Sequence, residues 1–394
     1  METTEVKNNP VPMVEEIMME FAGLTGLFPQ RAAPQRYLWT DAFAVCNFLG
    51  LYAQTGQEKY RDLAIRLIDQ VHGVLGRHRE DDGRKGWVSG LGEKEGEEHP
   101  TAGGLRIGKK MRERGPSEPF DEALEWDRDG QYFHYLTKWM HALHRAGRVT
   151  EDQRYHLWAT ELALKSHSAF TYVEPSGRSK RIHWKRSIDL SRPLVPSMGL
   201  HDPLDGLITY SELEEERRHQ PQTLSPDLLH AISDMVEICA GKNFMTDDPL
   251  GIGGLLSDAY RVGQLIVIEG FGQKKLLLPM LKAASEGLRR YRRTDPTGLH
   301  AEYRLAFREL GLSIGIRAAS RLQELVEKNQ GMFVSGKALV PVLKELSKFA
   351  PMADEIESFW TQPPSQSAAS WAEHREINMV MLATSLMSDG YLSL

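Results

Sequence analysis

Cysteine is nearly missing from this chain: Cys46 and Cys239 are the only two in 394 residues. Two thiols cannot build a disulfide framework, and they exclude any zinc site that needs four cysteines. No run approaches the roughly 18 consecutive apolar residues of a membrane-spanning helix. The opening stretch, Met1 to Val11, is polar and acidic and lacks the basic-then-apolar order of a secretory signal. The expected address is therefore a reducing cytoplasm, with no membrane partner. Excess positive charge is lacking too. A formal net charge of −6 argues against a nucleic-acid partner, which needs a basic face.

What the chain has in abundance is helical periodicity. From Glu58 the apolar positions Tyr60, Leu63, Ala64, Leu67, Ile68, Val71 and Leu75 follow the three-four spacing of one buried helix face. Thr55 and Glu58 are its expected capping box. Similar stripes follow Thr150, with Thr150 and Gln153 as caps, and Ser225-Pro226, an N-cap serine before a first-turn proline. Others cover 13–24, 274–293, 316–328 and 337–349. Between them lies a second set, apolar around most of the circumference and so expected to be covered on most sides. These span 41–54, 130–146, 255–270, 300–315 and 371–387, with a weaker one after His201. Alternating strand patterns are scarce. Covered helices alternating with half-covered ones about six times predict an all-α ring, a single domain spanning 1–394.

An inner-helix start reading WTDAF (Trp39 to Phe43), followed by LYAQTGQEKY (Leu51 to Tyr60), adds to this helix arithmetic. Together they resemble the (α/α)6 toroid superfamily, which includes the six-hairpin glycosidases and the N-acylglucosamine 2-epimerase-like proteins. The resemblance spans nearly the full length. It implies a central cavity whose mouth collects the starting ends of the inner helices. Two long segments interrupt the ring. Residues 78–127 are rich in glycine, including Gly83, Gly86, Gly90, Gly92, Gly103 and Gly104, and carry Trp87 and His99. An irregular stretch of this length is usually functional, and a lid over the cavity mouth is expected. Residues 172–198 carry a basic run, Arg178, Lys180, Arg181, Lys185 and Arg186, around Trp184.

Candidate chemistry lies at the inner-helix starts. Asp41 follows Trp39-Thr40 and either caps its helix or faces the cavity, where Trp39 would stack on a sugar. Glu125 to His134 brings Trp126, Arg128, Asp129 and His134 into ten residues, with Arg128 pairing an aspartate or binding an anionic substrate. Ser197 to Gly206 holds His201, Asp202 and Asp205 about a proline turn, which would set Asp202 opposite Asp129. Asp247-Asp248-Pro249 repeats that turn. The glycines after it form no phosphate loop, because no strand precedes them and no Lys-Ser/Thr pair follows. Close backbone approach, or Asp248 facing the cavity, remains. His300 and Arg304 open one further inner helix and Ser370, Trp371, Glu373 and His374 the last. Ser370 and Glu373 match a capping box, whereas His374 resembles the acid/base histidine of the epimerase-like branch.

Glycosidic cleavage needs two carboxyls of unlike pKa, one as acid and one as nucleophile or base. The leading expectation is accordingly a glycoside hydrolase with Asp129 and Asp202 as the pair, Asp41 and Asp248 in reserve and His201 alongside. Trp39, Trp87, Trp126 and Trp371 would be sugar platforms. The alternative is a sugar epimerase or isomerase in which His201, His300 or His374 moves a proton next to a carbonyl, with Arg261 or Arg304 steadying the negative charge. A lyase or cyclase on a non-sugar substrate is a third reading, in which the basic run around Trp184 receives a carboxylate or phosphate. No cofactor or metal is expected, since HxxxH, HExxH and EF-hand spacings are absent, and no serine nucleophile is expected. The expected partner is a small molecule, a sugar or oligosaccharide.

Overall fold

The computed structural model describes residues 9–394 apart from 178, 196, 220–225, 269, 295 and 335. Helix α1 (Val11–Leu24) is followed by the hairpin of α2 (Leu38–Thr55) and α3 (Glu58–Leu75). Two short helices, α4 (Glu93–Glu98) and α5 (Glu122–Asp127), punctuate the long connection beyond it. Three more hairpins pair α6 (Phe133–Thr150) with α7 (Gln153–Phe170), α8 (Asp202–His219) with α9 (Leu229–Cys239), and α10 (Pro249–Val267) with α11 (Leu277–Arg293). The 23-residue α12 (Ala306–Lys328) is backed by α13 (Gly336–Leu346) and α14 (Ala350–Trp360). One-turn helices α15 (Pro363–Gln366) and α16 (Ala369–Ala372) lead to α17 (Arg375–Leu386) and α18 (Asp389–Leu392).

Packing closes these elements into a ring. Helix α2 touches α6, α6 touches α8, α8 touches α10, α10 touches α12, α12 touches α17, and α17 returns to α2. Outside them, α1 covers the α17–α2 seam, α3 the α2–α6 seam and α7 the α6–α8 seam. Helices α9 and α11 back α8 and α10, while α13 and α14 back α12. This is the all-α (α/α)6 toroid that the nested periodicity predicts. The inner layer is buried as expected, with every residue of α2 from Leu38 to Leu51 inaccessible or nearly so. The closest approach is between α10 and α12. There a β-carbon on Gly253 would collide with the backbone of Gly311, and one on Gly315 with Gly253, so only glycine lets these two backbones touch. No described helix is long and apolar enough to cross a membrane.

Element boundaries differ from the expected ones where polar residues serve two masters. Thr55 ends α2, donating to the Leu51 carbonyl, and Gly56 caps that helix in the left-handed region. Thr150 likewise ends α6, and the N-cap of α7 is Asp152. Ser225, the expected N-cap of α9, lies outside the described residues, and α9 begins at Leu229. The stretches 300–315 and 316–328 merge into the single helix α12, and the partner they need is α14, which periodicity missed. Helix α8 is weak in sequence because its buried residues include Asp202, Asp205, Glu212, Glu214 and Glu215. A buried helix normally advertises itself by apolar residues, and this one is buried around charge.

The two long connections are sewn to each other. Strand β1 (Gln131–Tyr132), directly after the first, pairs antiparallel with β4 (Lys185–Arg186) of the second, while β2 (Thr171–Val173) and β3 (Lys180–Ile182) form a separate ribbon. Arg84 bridges to Asp189 at 2.8 Å, Ile188 donates its N–H to Glu113 at 2.6 Å, and Arg114 donates to the Leu194 carbonyl at 3.1 Å. Asp129 pins the root of the first connection. Its carboxylate, fully buried, accepts from Arg106 at 2.6 Å, Arg79 at 3.3 Å and the Gly108 N–H at 3.0 Å. Asp129→Ala would leave Arg106 buried without its counterion, a break that typically costs about 3–5 kcal/mol. The variant is expected to lower the urea midpoint and to speed proteolysis within 78–127. An unchanged midpoint would remove the anchoring role.

Candidate active site

The ring encloses a cavity of about 320 Å³ at the end where the inner helices begin. Helix α2 supplies Trp39 and Phe43, α6 supplies His134 and Lys138, and the second long connection supplies Trp184, Gly199, Leu200 and His201. Helix α8 adds Asp202 and Asp205, and the α10 side adds Asp248, Gly254, Ser257 and Asp258. Ile314, Met381 and Tyr391 close the apolar part of the wall.

Beneath this cavity lies a buried charge network. Arg261, 1% exposed, reaches Asp205 at 3.3 Å and Asp258 at 3.1 Å, and also bonds Glu212. Lys138 donates to Asp205 at 2.9 Å, and the Thr137 hydroxyl donates to the other Asp205 oxygen. Burial alone would push Asp205 up, but Lys138 and Arg261 hold it below the usual carboxylate range. Burial would also strip Lys138 of its proton, and Asp205 reverses that, keeping the ammonium charged. Asp258 is raised to about 6, by burial first and then by the Asp205 charge.

Asp202, the first residue of α8, stands apart from this network. Its Oδ2 has no hydrogen-bond partner among the described residues, although the residue is only 7% exposed. Burial, reinforced by Asp205, pushes its pKa up to about 7. Gly199 makes room for it, since a β-carbon there would collide with the Asp202 carboxylate. His134 Nδ1 lies 3.9 Å from that idle oxygen. The Trp184 indole N–H points at the same nitrogen from 3.3 Å, which makes Nδ1 an acceptor and puts the imidazole proton on Nε2. Burial pushes His134 down to about 4, so the ring is neutral near pH 7. A carboxyl that titrates near neutrality thus sits beside a neutral imidazole and a fixed ammonium.

The structure divides the sequence candidates. Trp39, His134, His201, Asp202 and Asp248 line the cavity. Of these, His201 is committed on one side, donating Nε2–H to the Phe244 carbonyl at 2.7 Å, and Asp248 caps α10 through the Gly251 N–H at 2.9 Å and pairs with Arg308. Arg261 lies below the cavity floor rather than in its wall. Asp41 and His374 face a neighbouring cavity of about 760 Å³, shared with Arg36, Tyr37 and Lys109. Asp41 there is consumed by the Arg36 guanidinium and the Tyr37 N–H. Asp129 does not face Asp202; it is the anchor described above. Arg128 pairs with Glu118 at 2.5 Å, and Trp87 is buried beneath the Arg77 guanidinium. Trp371 stacks in the core against Trp360, and His300 is exposed at the start of a single 3-10 turn. Trp126, 48% exposed, sits edge-on to Trp184 outside the cavity.

The first connection contributes no residue to the ring cavity; its residues Arg106 to Met111 wall the neighbouring one. The basic run is spent on structure: Lys180 pairs with Asp234 and Glu237, Arg181 with Glu174, and Lys185 with Glu125, while Arg178 lies outside the described residues. No group of three or more His, Cys, Asp or Glu suited to a metal ion occurs among the described residues. A G-x-S-x-G string does occur, Gly311 to Gly315, but it lies inside α12, its glycines touch α10, and buried Ser313 donates to Glu357. It is no strand-to-helix nucleophile elbow. Lys138 and Asp258 went unread in the sequence. The available signal was spacing, since Lys138 is one turn beyond His134 and Asp258 one turn beyond Gly254, each on a helix already assigned to the inner layer.

No family model matches this chain, and no curated protein matches it in sequence. Solved structures of similar course include a cellobiose 2-epimerase from Spirochaeta thermophila DSM 6192, at 13% identity over 95% of this chain and 98% of that one, with a TM-score of 0.49. A D-mannose isomerase is similar at 12% identity, 97% and 98% coverage and a TM-score of 0.49. A sugar epimerase from a ruminal bacterium follows at 8% identity, 95% and 98% coverage and a TM-score of 0.48.

The raised pKa of Asp202 has a consequence for stability. Between the ordinary value of 3.8 and about 7, the folded chain holds a proton that the unfolded chain has lost. Stability therefore falls as pH rises through that window, by about 1.4 kcal/mol per unit from this group. Asp202→Asn removes the burden. The variant is expected to melt close to the parent near pH 4 and several degrees above it at pH 8. Parallel melting curves across that range would show that Asp202 is not a buried, late-titrating acid.

Proposed function

We propose that the ring cavity catalyses proton transfer next to the carbonyl of a small polyhydroxylated compound, as in an aldose–ketose isomerase. The observation that carries this reading is Asp202: a buried residue of the cavity wall, one carboxylate oxygen without a partner, with a pKa of about 7. A general base is most effective when its pKa lies near the working pH. Its neighbours complete the set. A neutral histidine that donates N–H, beside a carboxylate base, is a known arrangement for polarising a carbonyl while a proton leaves the adjacent carbon.

In this reaction the Asp202 carboxylate takes the proton from C2 of an open-chain aldose. The C2–H electron pair becomes the C1–C2 double bond, and the carbonyl pair moves onto O1. His134 Nε2–H and the Lys138 ammonium stabilise that developing oxyanion. O1 then takes up the proton that O2 gives up, Asp202 returns its proton to C1, and a ketose results. Trp39, Phe43 and Trp184 offer flat apolar faces for the carbon skeleton. A volume of about 320 Å³ is at the small end for ligand pockets, roughly 300–1,000 Å³, and favours a single sugar unit over an oligosaccharide.

A glycoside hydrolase requires, besides the protonated acid, an ionised carboxylate free to attack or to activate water. The other carboxylates of the cavity are engaged: Lys138, Arg261 and Thr137 occupy both oxygens of Asp205, Arg308 and the Gly251 N–H those of Asp248, and Arg261 holds Asp258. For that reason the isomerase reading is preferred over the hydrolase expected from the carboxylates at the inner-helix starts.

The test is incubation with aldoses of three to six carbons in deuterium oxide, read by NMR. Ketose formation with deuterium entering at C1 or C2 is expected, and kcat/KM should rise with pH to a plateau above about 7, because the base must be ionised. Asp202→Asn should lower kcat/KM by about 10³-fold or more, and His134→Gln by about 10- to 100-fold. Release of reducing ends from oligosaccharides without deuterium uptake would overturn the isomerase in favour of the hydrolase.

A further inference from the structure

In a helix interior glycine costs roughly a fivefold loss in the folded-to-unfolded ratio relative to alanine, a cost that close packing or room for a bound molecule can account for. Helix α10 carries four, Gly251, Gly253, Gly254 and Gly263. Three have a steric cause. A β-carbon on Gly253 would strike the Gly311 backbone, one on Gly263 the Leu322 side chain, and one on Gly251 would come within 3.0 Å of the Thr246 methyl. Gly254 has none. A β-carbon there would meet no heavy atom within 4 Å, and the residue lies in regular right-handed helix.

What lies over Gly254 is the ring cavity. Gly254 lines it together with Ser257 and Asp258, three and four residues further along and so on the same helix face. The wall of that cavity also carries Asp202, a residue 7% exposed whose Oδ2 has no hydrogen-bond partner among the described residues. The one α10 glycine without a steric cause is thus a glycine that borders this space, as expected of a wall shaped around something that enters.

We propose that Gly254 is a specificity-determining residue: the substrate's carbon chain lies against the bare α10 backbone there, and the missing side chain sets how long a polyol the cavity admits. This rests on the cavity being the substrate site, and not on which reaction occurs in it. Because the glycine is there for the ligand, replacing it should help the fold and harm binding at once. A merely structural glycine would lose both.

The test uses non-reacting sugar alcohols as probes, erythritol with four carbons and mannitol with six, titrated calorimetrically into the parent, Gly254→Ala and Gly254→Val. Gly254→Ala is expected to raise Tm by about 1 °C or more, since alanine restores helix propensity and narrows the unfolded ensemble. Its affinity for mannitol should fall by about tenfold or more, with erythritol changed less than about twofold, and Gly254→Val should extend the loss. A lowered Tm in Gly254→Ala would make the glycine structural and overturn the proposal. So would mannitol affinity equal to that of the parent in both variants, or a parent that binds neither alcohol. A parent that binds mannitol yet exchanges no deuterium on any aldose would instead overturn the isomerase and leave the size limit standing.

Discussion

The contact on which the site depends is the one between Arg261 and its three carboxylates. A guanidinium that is 1% exposed holds Asp205, Asp258 and Glu212 together inside the ring. Burying any of these charges alone would be prohibitive, and burying them together is tolerable only because the guanidinium fork offers several donors in fixed directions. Glu212 is held well below its ordinary pKa by this arginine, against the pull of burial, and His141 and His144 share its remaining capacity. The result is an Asp205 that stays ionised although buried. That charge in turn keeps Lys138 protonated and helps to raise Asp202. The chemistry at the mouth is thus set two layers down.

The ring explains why such a network can exist at all. Each inner helix is shielded by its neighbours and by an outer helix, so a polar group on its cavity side is removed from bulk water without facing lipid-like packing on every side. Helices α6, α8 and α10 contribute the charges, and α2, α12 and α17 contribute mainly apolar wall. At the contact between α10 and α12 the two backbones touch through Gly253, Gly311 and Gly315.

The layered ring was legible because burial of apolar stripes is periodic: α3 matches its expected stripe residue for residue. Helix α8 was legible only faintly, for the same physical reason that makes it interesting. Its buried face is acidic, and the charges that neutralise it come from α6 and α10, some fifty to seventy residues away in the chain. No local pattern can announce a counterion supplied by another helix. Asp129 failed in the opposite sense. It sits in a dense run of functional groups, but Arg106 and Arg79, which bind it, come from a segment whose glycine-rich sequence gives no sign of a buried ion pair. His374 and Asp41 are helix-start residues, as expected, but they open on the neighbouring cavity. Tyr37 and Tyr135, joined hydroxyl to hydroxyl at 2.6 Å, stand between their cavity and the one that holds Asp202.

What separates a structural carboxylate from a chemical one in this protein is the fate of its lone pairs, not its depth. Asp41, Asp129, Asp202 and Asp205 are all buried. Asp129 accepts from two arginines and two backbone N–H groups, Asp205 from a lysine, an arginine and a threonine, and Asp41 from an arginine and a backbone N–H. Folding could have supplied Asp202 with a partner as readily, since His134 is 3.9 Å away and Lys138 lies on the same helix one turn further along. Instead Trp184 turns the His134 nitrogen to itself, and Asp205 takes the lysine. A buried oxygen left idle carries a penalty of about 1–3 kcal/mol. Among the described residues three carboxylate oxygens have no hydrogen-bond partner, on Glu125, Glu161 and Asp202, and of the three only Asp202 belongs to the wall of the ring cavity, which is why the proposed chemistry is built on it.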